Sequence, residues 1–447
     1  MRTRWYKLLI TWCVLVFFIF LTTRVLLDKG LNQPISIREE RLERSENAHL
    51  QQEVPTGAPL YAAGSYMSGR QPENTSFCNW HYNLPQEFFF LQSKISGTPE
   101  AGIKGPYRIL PQIIQESTTA KEIPKITLCT HSTADQVYSI VELAKRWEGP
   151  LSFSIFAPGL DAGLAIALLN RACYCEPTMS KVSVHLIFPA GRPPALGDFS
   201  RFKGDCAASD LQWREAATER KQRGMTYPIN VARNIARVQA QTDRVLVSDI
   251  ELLPSAKMAS GFQQMLQERS TRNNVVFVLP VFEIEANEEP PSNKNQLLTA
   301  HRVGSAVYFH RYVCSHCQRF PGLTRWLLRP NSGKVKPFII TRREIPNHRW
   351  EPVFIGTKND PLYTEDMTWE GRQDKMAQMF EMCLMNYRLI ILDGAFLVHR
   401  PGIKRKTISN NNEMPLIRAQ ERRNSRIYQN VIRRLVKQYH SDRKCRQ

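Results

Sequence analysis

The 447-residue chain carries a formal net charge of +19, an excess that raises the question of nucleic-acid binding. Residues 404–447 contain thirteen Lys/Arg against three acidic residues and so supply +10 of that charge. The chain contains no zinc-finger or RNP-type signature, so we exclude nucleic acid as the expected partner.

The first predicted element is a membrane segment. Basic residues precede an apolar run at positions 8–21, and no Ala-x-Ala-like cleavage site follows it. We therefore expect an uncleaved signal anchor over residues 8–27 rather than a removed signal peptide. The positive-inside tendency leaves residues 1–7 cytosolic and the rest luminal, as in a single-pass type II protein. A span this short suits the thinner membranes of the early secretory pathway, and we expect a Golgi membrane protein.

The remaining chain divides into a stem, one large domain and a tail. Residues 28–76 are polar and lack sustained apolar periodicity, which predicts a luminal stem, and Asn74 begins an N-glycosylation triplet within it. One catalytic-sized domain is expected at 77–403. Residues 404–447 form a basic tail with apolar residues at helical spacing, which predicts an amphipathic helix packed on the domain. Contact of this tail with an acidic glycan or an anionic membrane stays open.

The cysteines leave the disulfide pattern undecided. Of the ten, Cys13 falls in the predicted span, and an odd set of nine cannot all pair within the chain. Cys314 and Cys317 flank a Ser-His pair, which suggests zinc, but no second Cys/His pair stands at the spacing of a four-ligand structural site. A disulfide or buried thiols is the preferred interpretation of these two cysteines.

In the middle of the chain, β-branched and aromatic runs alternate with helical patterns. The predicted strands are 125–129, 151–156 and 182–188, and the predicted helices are 134–147 and 162–171. This alternation predicts an α/β domain with a mostly parallel sheet and helices on both faces. Ligands in such domains bind beyond the carboxyl ends of the strands.

Two carboxylates follow the next strand. A predicted helix at 229–240 leads into a buried-strand pattern at 244–248, and Asp249-Ile250-Glu251 comes directly after it. An acid-x-acid turn can direct oxygen ligands at Mn²⁺ or Mg²⁺, which would neutralise the diphosphate of a nucleotide-sugar. The same pattern also occurs in acidic turns without a metal, and Ser255 could simply cap a following helix.

The residues around this turn resemble a known family. The segments Tyr227–Arg237 and Val245–Ser255 are similar to the donor-site signature of family 49 glycosyltransferases, which include β-1,4-glucuronyltransferases and the second domain of LARGE-type enzymes. The further matching segments are Val278–Glu283, Trp350–Pro352, Pro361–Tyr363, Gly371, Lys375, Glu381 and Leu392–Arg400. The resemblance covers roughly residues 78–403.

The resemblance implies a GT-A fold, which is Rossmann-like, and an inverting transfer from a UDP-sugar to a glycan acceptor on a glycoprotein. It implies UDP-glucuronate as the usual donor and Mn²⁺, or Mg²⁺, as the metal. Asp249 and Glu251 stand where the family has its metal-binding Asp-x-Asp, and His399 stands where the family's C-terminal histidine completes the metal site. Without the resemblance, His399 would be read as an ordinary core histidine.

Donor contacts are expected from two places. Arg233 and Asn234 lie on the helix before the metal turn, where a guanidinium can pair with phosphate or with the glucuronate carboxylate. Thr130 and His131 follow the first strand, where doubly wound sheets receive nucleotides. The alternatives are a surface salt bridge for the helix residues and a plain turn for the other two.

An inverting transfer also needs a carboxylate base. Glu283 and Asp366 are slightly preferred over Glu285 and Glu370, since all four lie in or near the matching segments.

The chain departs from the family pattern at Glu251, which replaces the second Asp of Asp-x-Asp. It also departs at Thr364, where relatives commonly carry an acid. The alternative function is therefore a luminal pseudoenzyme that binds a glycan or a partner glycosyltransferase. The sequence also leaves open whether the protein forms a homodimer.

Overall fold

The structure, a computed structural model, describes residues 75–117, 123–197, 206, 217–267, 274–405, 414–439 and 445. The predicted anchor at 8–27, the predicted stem as far as residue 74, and the acceptor Asn74 lie outside the described residues. Within the described ranges, no helix is both long enough and apolar enough to span a membrane.

The described residues contain one sheet of eleven strands and a second sheet of four. The strands are β1 Asn79–Trp80, β2 Ser96–Gly97, β3 Tyr107–Gln115, β4 Ile126–Thr133, β5 Leu151–Phe156, β6 Val182–Pro189, β7 Arg244–Val247, β8 Leu252–Pro254, β9 Val275–Leu279, β10 Val281–Ile284, β11 Ala306–Tyr308, β12 Lys336–Thr341, β13 Val353–Thr357, β14 Arg388–Asp393 and β15 Leu397–His399.

The α-helices in the described residues connect or cover these strands. They are α1 Ile140–Arg146, α2 Asp161–Cys175, α3 Glu219–Gln222, α4 Ile229–Gln239, α5 Met258–Gln267, α6 Lys294–Val303, α7 Leu323–Leu328, α8 Met376–Leu384 and α9 Met414–Tyr439. Short 3-10 helices occupy Gln92–Lys94, Ala134–Ser139 and Pro177–Lys181.

The centre of the large sheet follows the βαβ alternation of the sequence. Strands β6, β5, β4 and β7 are parallel neighbours in that order. Every residue of β4 and β5 is buried, including the Ser, Thr and His residues that alternate with or follow their apolar residues, as expected for central strands covered on both faces. Leu128 of β4 packs into the large core with α1 and α2, whereas Cys129 packs with Ala236 of α4 on the opposite face. The prediction of helices on both faces is therefore confirmed.

The prediction of a mostly parallel sheet is wrong for the sheet as a whole. Strand β13 inserts antiparallel between β7 and β9, while β3 and β12 add antiparallel edges outside β6 and β14. The domain is therefore mixed α/β around a large sheet. The prediction extended the βαβ alternation of residues 125–188 to strands outside that range, which do not follow it. The periodicity of a single strand does not indicate whether its neighbour is parallel or antiparallel, so the sequence did not show this difference.

The smaller sheet brings distant parts of the chain to the Asp-Ile-Glu turn. Its order is β11-β10-β15-β8, and β8 begins directly after Glu251. His399 of β15 lies opposite Leu252 of β8 on one side and opposite Glu283 of β10 on the other. Strand pairing therefore places His399 beside the acidic turn although 148 residues separate it from Glu251.

The basic tail forms the predicted helix. Tyr428, Ile432 and Leu435 of α9 pack in one cluster with Phe380 of α8, which confirms the amphipathic helix packed on the domain. The cysteines of the described residues form four disulfides, which join Cys78 to Cys173, Cys175 to Cys206, Cys314 to Cys317 and Cys383 to Cys445, while Cys13 lies outside the described residues. Cys129 stays free and buried.

Candidate active site

Asp249 lies just beyond the carboxyl end of β7 and meets three side chains from separate elements. One of its oxygens lies 3.2 Å from Arg233 Nη2 of α4 and 3.3 Å from His131 Nε2 of β4. Its other oxygen lies 3.7 Å from Lys375 Nζ, just before α8. Burial alone would raise the pKa of Asp249, but Lys375 and the contacts with His131 and Arg233 outweigh burial and hold the pKa well below its usual range.

Glu251 faces His399 across the smaller sheet. His399 Nε2 lies 3.1 Å from Glu251 Oε2, while Nδ1 lies 2.9 Å from the carbonyl of Gly402. Because a carbonyl only accepts, Nδ1 carries a hydrogen, and in a neutral ring Nε2 presents its lone pair to the carboxylate. A shared proton or a bound cation relieves this opposition. Burial raises the pKa of Glu251, but a protonated His399 outweighs burial through its hydrogen bond and charge, so the pKa is lowered.

The fit of these residues to a metal is uneven. Two carboxylates and an imidazole are suitable donors for Mn²⁺ or Mg²⁺, and the facing Glu251 and His399 offer two of them. Asp249 is turned towards Arg233, His131 and Lys375 instead. In the part of the chain that the structure describes, one group of three His, Cys, Asp or Glu residues has potential ligand atoms within 4.8 Å of one another. That group is Cys314, His316 and Cys317, and it includes none of the predicted metal ligands.

The Cys314–Cys317 disulfide explains that other group. Their sulfur atoms are bonded to each other, and His316 lies within 3.5 Å of Cys314 Sγ. Sulfurs joined in a disulfide are not the thiolates that bind zinc. The sequence interpretation that preferred a disulfide over zinc at these two cysteines is therefore confirmed.

Arg233 joins the acidic turn to the chain before α8. Its side chain is 3% exposed and lies between Asp249 at 3.2 Å and Asp374 at 3.0 Å. Asn230 accepts a further hydrogen bond at 3.0 Å, and the guanidinium stands 5.3 Å from the ring centre of Tyr363. The structure thus brings Arg233 to the predicted metal turn, where its charge is shared between two carboxylates.

Asn234, the other predicted donor contact on α4, is turned to a neighbouring loop. Its amide nitrogen donates to the Tyr363 carbonyl at 2.8 Å and to Glu365 at 3.0 Å, and its oxygen accepts from the Tyr363 nitrogen at 2.9 Å. Asn230 similarly holds the carbonyl of Thr364 at 2.8 Å. These contacts fix the loop that carries Thr364, one of the two departures from the family pattern.

Thr130 and His131 face opposite sides of β4. His131 Nδ1 lies 2.8 Å from the Tyr227 hydroxyl, and Nε2 lies 3.3 Å from an Asp249 oxygen, a contact whose geometry is not that of a hydrogen bond. Burial lowers the pKa of His131, which favours the neutral ring. The hydroxyls of Thr130 and Ser132, on the other face, are buried without a hydrogen-bond partner in the described structure. His131 therefore reaches the acidic turn, and Thr130 does not.

Glu283, the first candidate base, is fully buried beside His399. Its two oxygens accept hydrogen bonds from the backbone nitrogens of His310 at 3.1 Å and Lys404 at 3.2 Å. Burial raises the pKa of Glu283 despite these contacts. Both oxygens are thus engaged in holding two chain segments against the smaller sheet.

The other predicted base candidates lie apart from this cluster. Asp366 is exposed and lines a cavity of about 180 Å³ with Tyr107 and Arg423. Glu285 pairs with Arg405 at 2.6 Å, and Glu370 accepts the backbone nitrogen of Tyr227 at 3.0 Å. The salt bridge of Glu285 and the backbone contact of Glu370 give each of these carboxylates a structural role.

Residues that sequence reasoning did not assign complete the surroundings. Lys375 contacts Asp249, and Asp374 contacts Arg233. Glu351 lies in their field, and burial followed by the charge of Asp374 raises its pKa to about 7. Lys375 and the Trp350–Pro352 segment had matched the family pattern, but nothing in one sequence showed that they meet the Asp249 turn.

The chain matches proteins of one enzyme family over most of its described length. It is 29% identical to β-1,4-glucuronyltransferase 1 of Danio rerio over 316 residues, which cover 66% of this chain and 72% of that protein. It is 26% identical to the Homo sapiens β-1,4-glucuronyltransferase 1 over 353 residues, covering 76% and 82%. Similarity to the xylosyl- and glucuronyltransferase LARGE2 of Mus musculus is 22% over 334 residues, 71% of this chain and 38% of that longer protein.

Among solved structures, the chain is similar to S. aureus TarS 1–349 in complex with UDP-GlcNAc, with a TM-score of 0.32, 12% identity and 66% coverage of each chain. At that TM-score the likeness carries no weight for the fold. The family model described as glycosyl-transferase for dystroglycan matches residues 125–440, which is well over half of the chain. This chain therefore belongs to glycosyltransferase family 49, an enzyme family whose members matched here are named as glucuronyltransferases.

Proposed function

We propose that this enzyme transfers glucuronate from UDP-glucuronate to a hydroxyl of a glycan acceptor on a glycoprotein, with inversion, in a GT-A domain. The observation that carries the proposal is the acidic turn that follows β7, where Asp249 contacts Arg233 and Lys375 and Glu251 contacts His399. Two acids, an imidazole and two cations around one turn suit a phosphorylated, anionic donor. The names of the family relatives support glucuronate as the sugar.

Divalent metal dependence is part of the proposal. Asp249, Glu251 and His399 would hold Mn²⁺ or Mg²⁺, which when bound supplies positive charge to the diphosphate and to departing UDP. Asp249 has cationic neighbours of its own, so donor phosphate would compete with Asp249 for Lys375 and Arg233. His131 of β4 also contacts Asp249, at 3.3 Å.

Arg233 and Lys375 would contribute the charge that the protein itself offers to the donor. A guanidinium can bind a carboxylate or phosphate through two parallel hydrogen bonds, whereas an ammonium acts as a point charge. Because Arg233 is buried and already oriented by Asp249 and Asp374, little of its side-chain freedom remains to be lost on binding.

We further propose a single-pass type II protein of the Golgi membrane, anchored by residues 8–27, with Asn74 glycosylated. Four disulfides among the described residues support an oxidising compartment. We also propose that the protein associates in the membrane with a partner glycosyltransferase or with a second copy of this chain.

The test uses the full chain in mild detergent. UDP release is measured for a panel of UDP-sugars with xylose- and N-acetylglucosamine-terminated acceptors, with Mn²⁺ and with chelator. We expect turnover with UDP-glucuronate that needs both metal and acceptor and is abolished by Asp249→Asn and by His399→Ala. The matched control, His301→Ala, replaces a histidine on α6 outside the site and should leave turnover unchanged.

One observation favours a second candidate, a catalytically impaired protein that binds a glycan or partner. Asp249 is engaged by three side chains, and Glu251 and Thr364 depart from the family pattern. If the folded protein binds UDP or glycan but no donor turns over, this candidate replaces the transferase proposal.

A further inference from the structure

Glu351 emerges from the large sheet at the edge that carries the acidic turn. It lies two residues before β13, which runs antiparallel to β7 with Ile355 opposite Leu246 and Thr357 opposite Arg244. Continued along the same register, the amino end of β13 stands beside the residues that follow β7. Strand direction therefore brings Glu351 to the level of Asp249.

The backbone nitrogen of Glu351 has a hydrogen-bond partner, whereas its carboxyl oxygens have none among the described residues. Its nitrogen donates to the Cys317 carbonyl at 2.9 Å, so the loop closed by the Cys314–Cys317 disulfide holds it in place. Among the residues that the structure describes, no hydrogen bond or ion pair engages its side-chain oxygens. A carboxyl that is positioned but uncommitted is suited to receive a proton from a ligand.

The other nearby carboxyls are committed elsewhere. Glu283 accepts two backbone hydrogens, and Asp374 pairs with Arg233 at 3.0 Å. Glu365 accepts hydrogen bonds from the Thr98 hydroxyl at 2.6 Å and from the Asn234 amide at 3.0 Å. Hydrogen bonds to a carboxylate stabilise its ionised form and lower its basicity, and Glu351 accepts none among the described residues.

Charged groups surround Glu351 on several elements. Asp374 and Lys375 face it from the chain before α8, Arg233 from α4, and Arg343 from the segment after β12. Tyr428 of α9 also lies within its electrostatic field. Lys375 and Arg233 contact Asp249, and Asp374 contacts Arg233, so Glu351 shares one charge cluster with the acidic turn.

We propose that Glu351 is the general base that deprotonates the acceptor hydroxyl in the glycosyl transfer. The inference rests on the proposed function and assigns a role that the sequence had given to Glu283 or Asp366. The acceptor oxygen forms a bond to C1 of the sugar as its hydrogen passes to a Glu351 oxygen. The bond between C1 and the β-phosphate oxygen breaks, its electron pair leaves with UDP, and Glu351 then releases the proton to water.

The proton affinity of Glu351 agrees with this role. Burial and the negative charge of Asp374 raise its pKa to about 7, against the opposing effect of Lys375, Arg233 and Arg343. A base whose pKa lies near the working pH combines a useful ionised fraction with useful basicity.

The experiment compares the full chain with Glu351→Gln, Glu351→Asp and the exposed-site control Glu344→Gln. For each protein, kcat and KM are measured from pH 5 to 9 with the donor and acceptor that the wild type uses, and UDP affinity is measured separately. We expect Glu351→Gln to lower kcat by about 10²–10⁴-fold. UDP affinity should stay within about twofold, because the substitution leaves the donor contacts in place.

The pH profile separates a base from a structural residue. The wild-type kcat/KM should fall about tenfold per pH unit on the acidic side of the Glu351 pKa, and Glu351→Gln should lose that limb. Glu351→Asp should keep the limb at lower kcat, and Glu344→Gln should match the wild type.

Three results would overturn the inference. If the wild type is active and Glu351→Gln is equally active, Glu351 is not the base, and the proposed function still stands. A slow Glu351→Gln that keeps the acidic limb, or that loses UDP affinity in proportion, makes Glu351 structural. A wild type that transfers from no donor refutes the proposed function, and the role of Glu351 falls with it.

Discussion

Arg233 should be a major source of stability as well as a donor contact. Its side chain is 3% exposed and lies 3.2 Å from Asp249 and 3.0 Å from Asp374, which belong to different parts of the fold. Replacement by Met keeps much of the volume and removes the charge. The variant Arg233→Met therefore leaves two carboxylates facing each other without the cation between them.

The expected cost follows from the burial of the partners. Removing one member of a fully buried ion pair costs about 3–5 kcal/mol, because the remaining charge is left uncompensated. Asp374 is 12% exposed, but Asp249 is 33% exposed and Lys375 still contacts it, so water and Lys375 recover part of that energy. We expect Arg233→Met to lower the free energy of unfolding by about 2–3 kcal/mol at pH 7.

The cost should depend on pH with a defined sign. The pKa of Asp249 is lower in the folded protein than in the unfolded chain, so its contribution is complete above the unfolded pKa and is lost as pH falls through the folded pKa. Loss of Arg233 moves the folded pKa back towards its ordinary value. The difference between wild type and Arg233→Met should therefore shrink as the pH falls below about 4.

Urea denaturation followed by tryptophan fluorescence measures this difference. The double variant with Asp374→Asn serves as the matched comparison, because removing one carboxylate relieves the repulsion that Arg233→Met creates. We expect the double variant to be more stable than the sum of the single losses predicts. A loss below about 1 kcal/mol for Arg233→Met, or strictly additive losses, would refute the role of Arg233 as a buried bridge.

Three further predictions use the same denaturation assay. Glu351 has a folded pKa of about 7, above its unfolded value, so wild-type stability should fall as pH rises from about 5 to 8. Glu351→Gln should lack that fall and be more stable by about 2 kcal/mol at pH 8, and parallel profiles would contradict this. Lys294→Met should cost about 3 kcal/mol because it leaves Asp393, 2.7 Å away with both side chains 0% exposed, with only the more distant and half-exposed Arg329 as a cationic partner, and adding Asp393→Leu should restore most of it. Asn424→Ala should cost about 2–3 kcal/mol by removing three hydrogen bonds that tie α9 to residues 368–372, and an unchanged midpoint would show that apolar packing alone holds α9.

The departure at Glu251 has a structural counterpart. The carboxylate of this Glu reaches to within 3.1 Å of His399 Nε2, and the two residues meet across the smaller sheet. The longer side chain therefore still ends at the histidine that the family resemblance associates with the metal. Thr364, the second departure, is buried, and Asn230 holds its carbonyl.

The sequence by itself determined the elements with local signals. The segments 151–156 and 182–188, rich in β-branched and aromatic residues, became β5 and β6 almost residue for residue, because such side chains favour strands. The helix predicted at 229–240 is α4, and the acidic turn does follow β7. The spacing of apolar residues in the tail predicted its helix, because one face of that helix packs on α8 while basic residues occupy the opposite face.

Only the tertiary structure decided which residues meet at the site and in what relation. Strand pairing joins His399 to Glu251, and the antiparallel return of β13 brings Glu351 towards Asp249, because these neighbours are set by sheet register across long separations in the chain. The structure also separates residues adjacent in sequence: His131 reaches Asp249 while Thr130 points away, because side chains alternate between the faces of a strand. Sequence spacing carries the periodicity of single elements, whereas charge pairing and proton affinity depend on distances that exist only after folding.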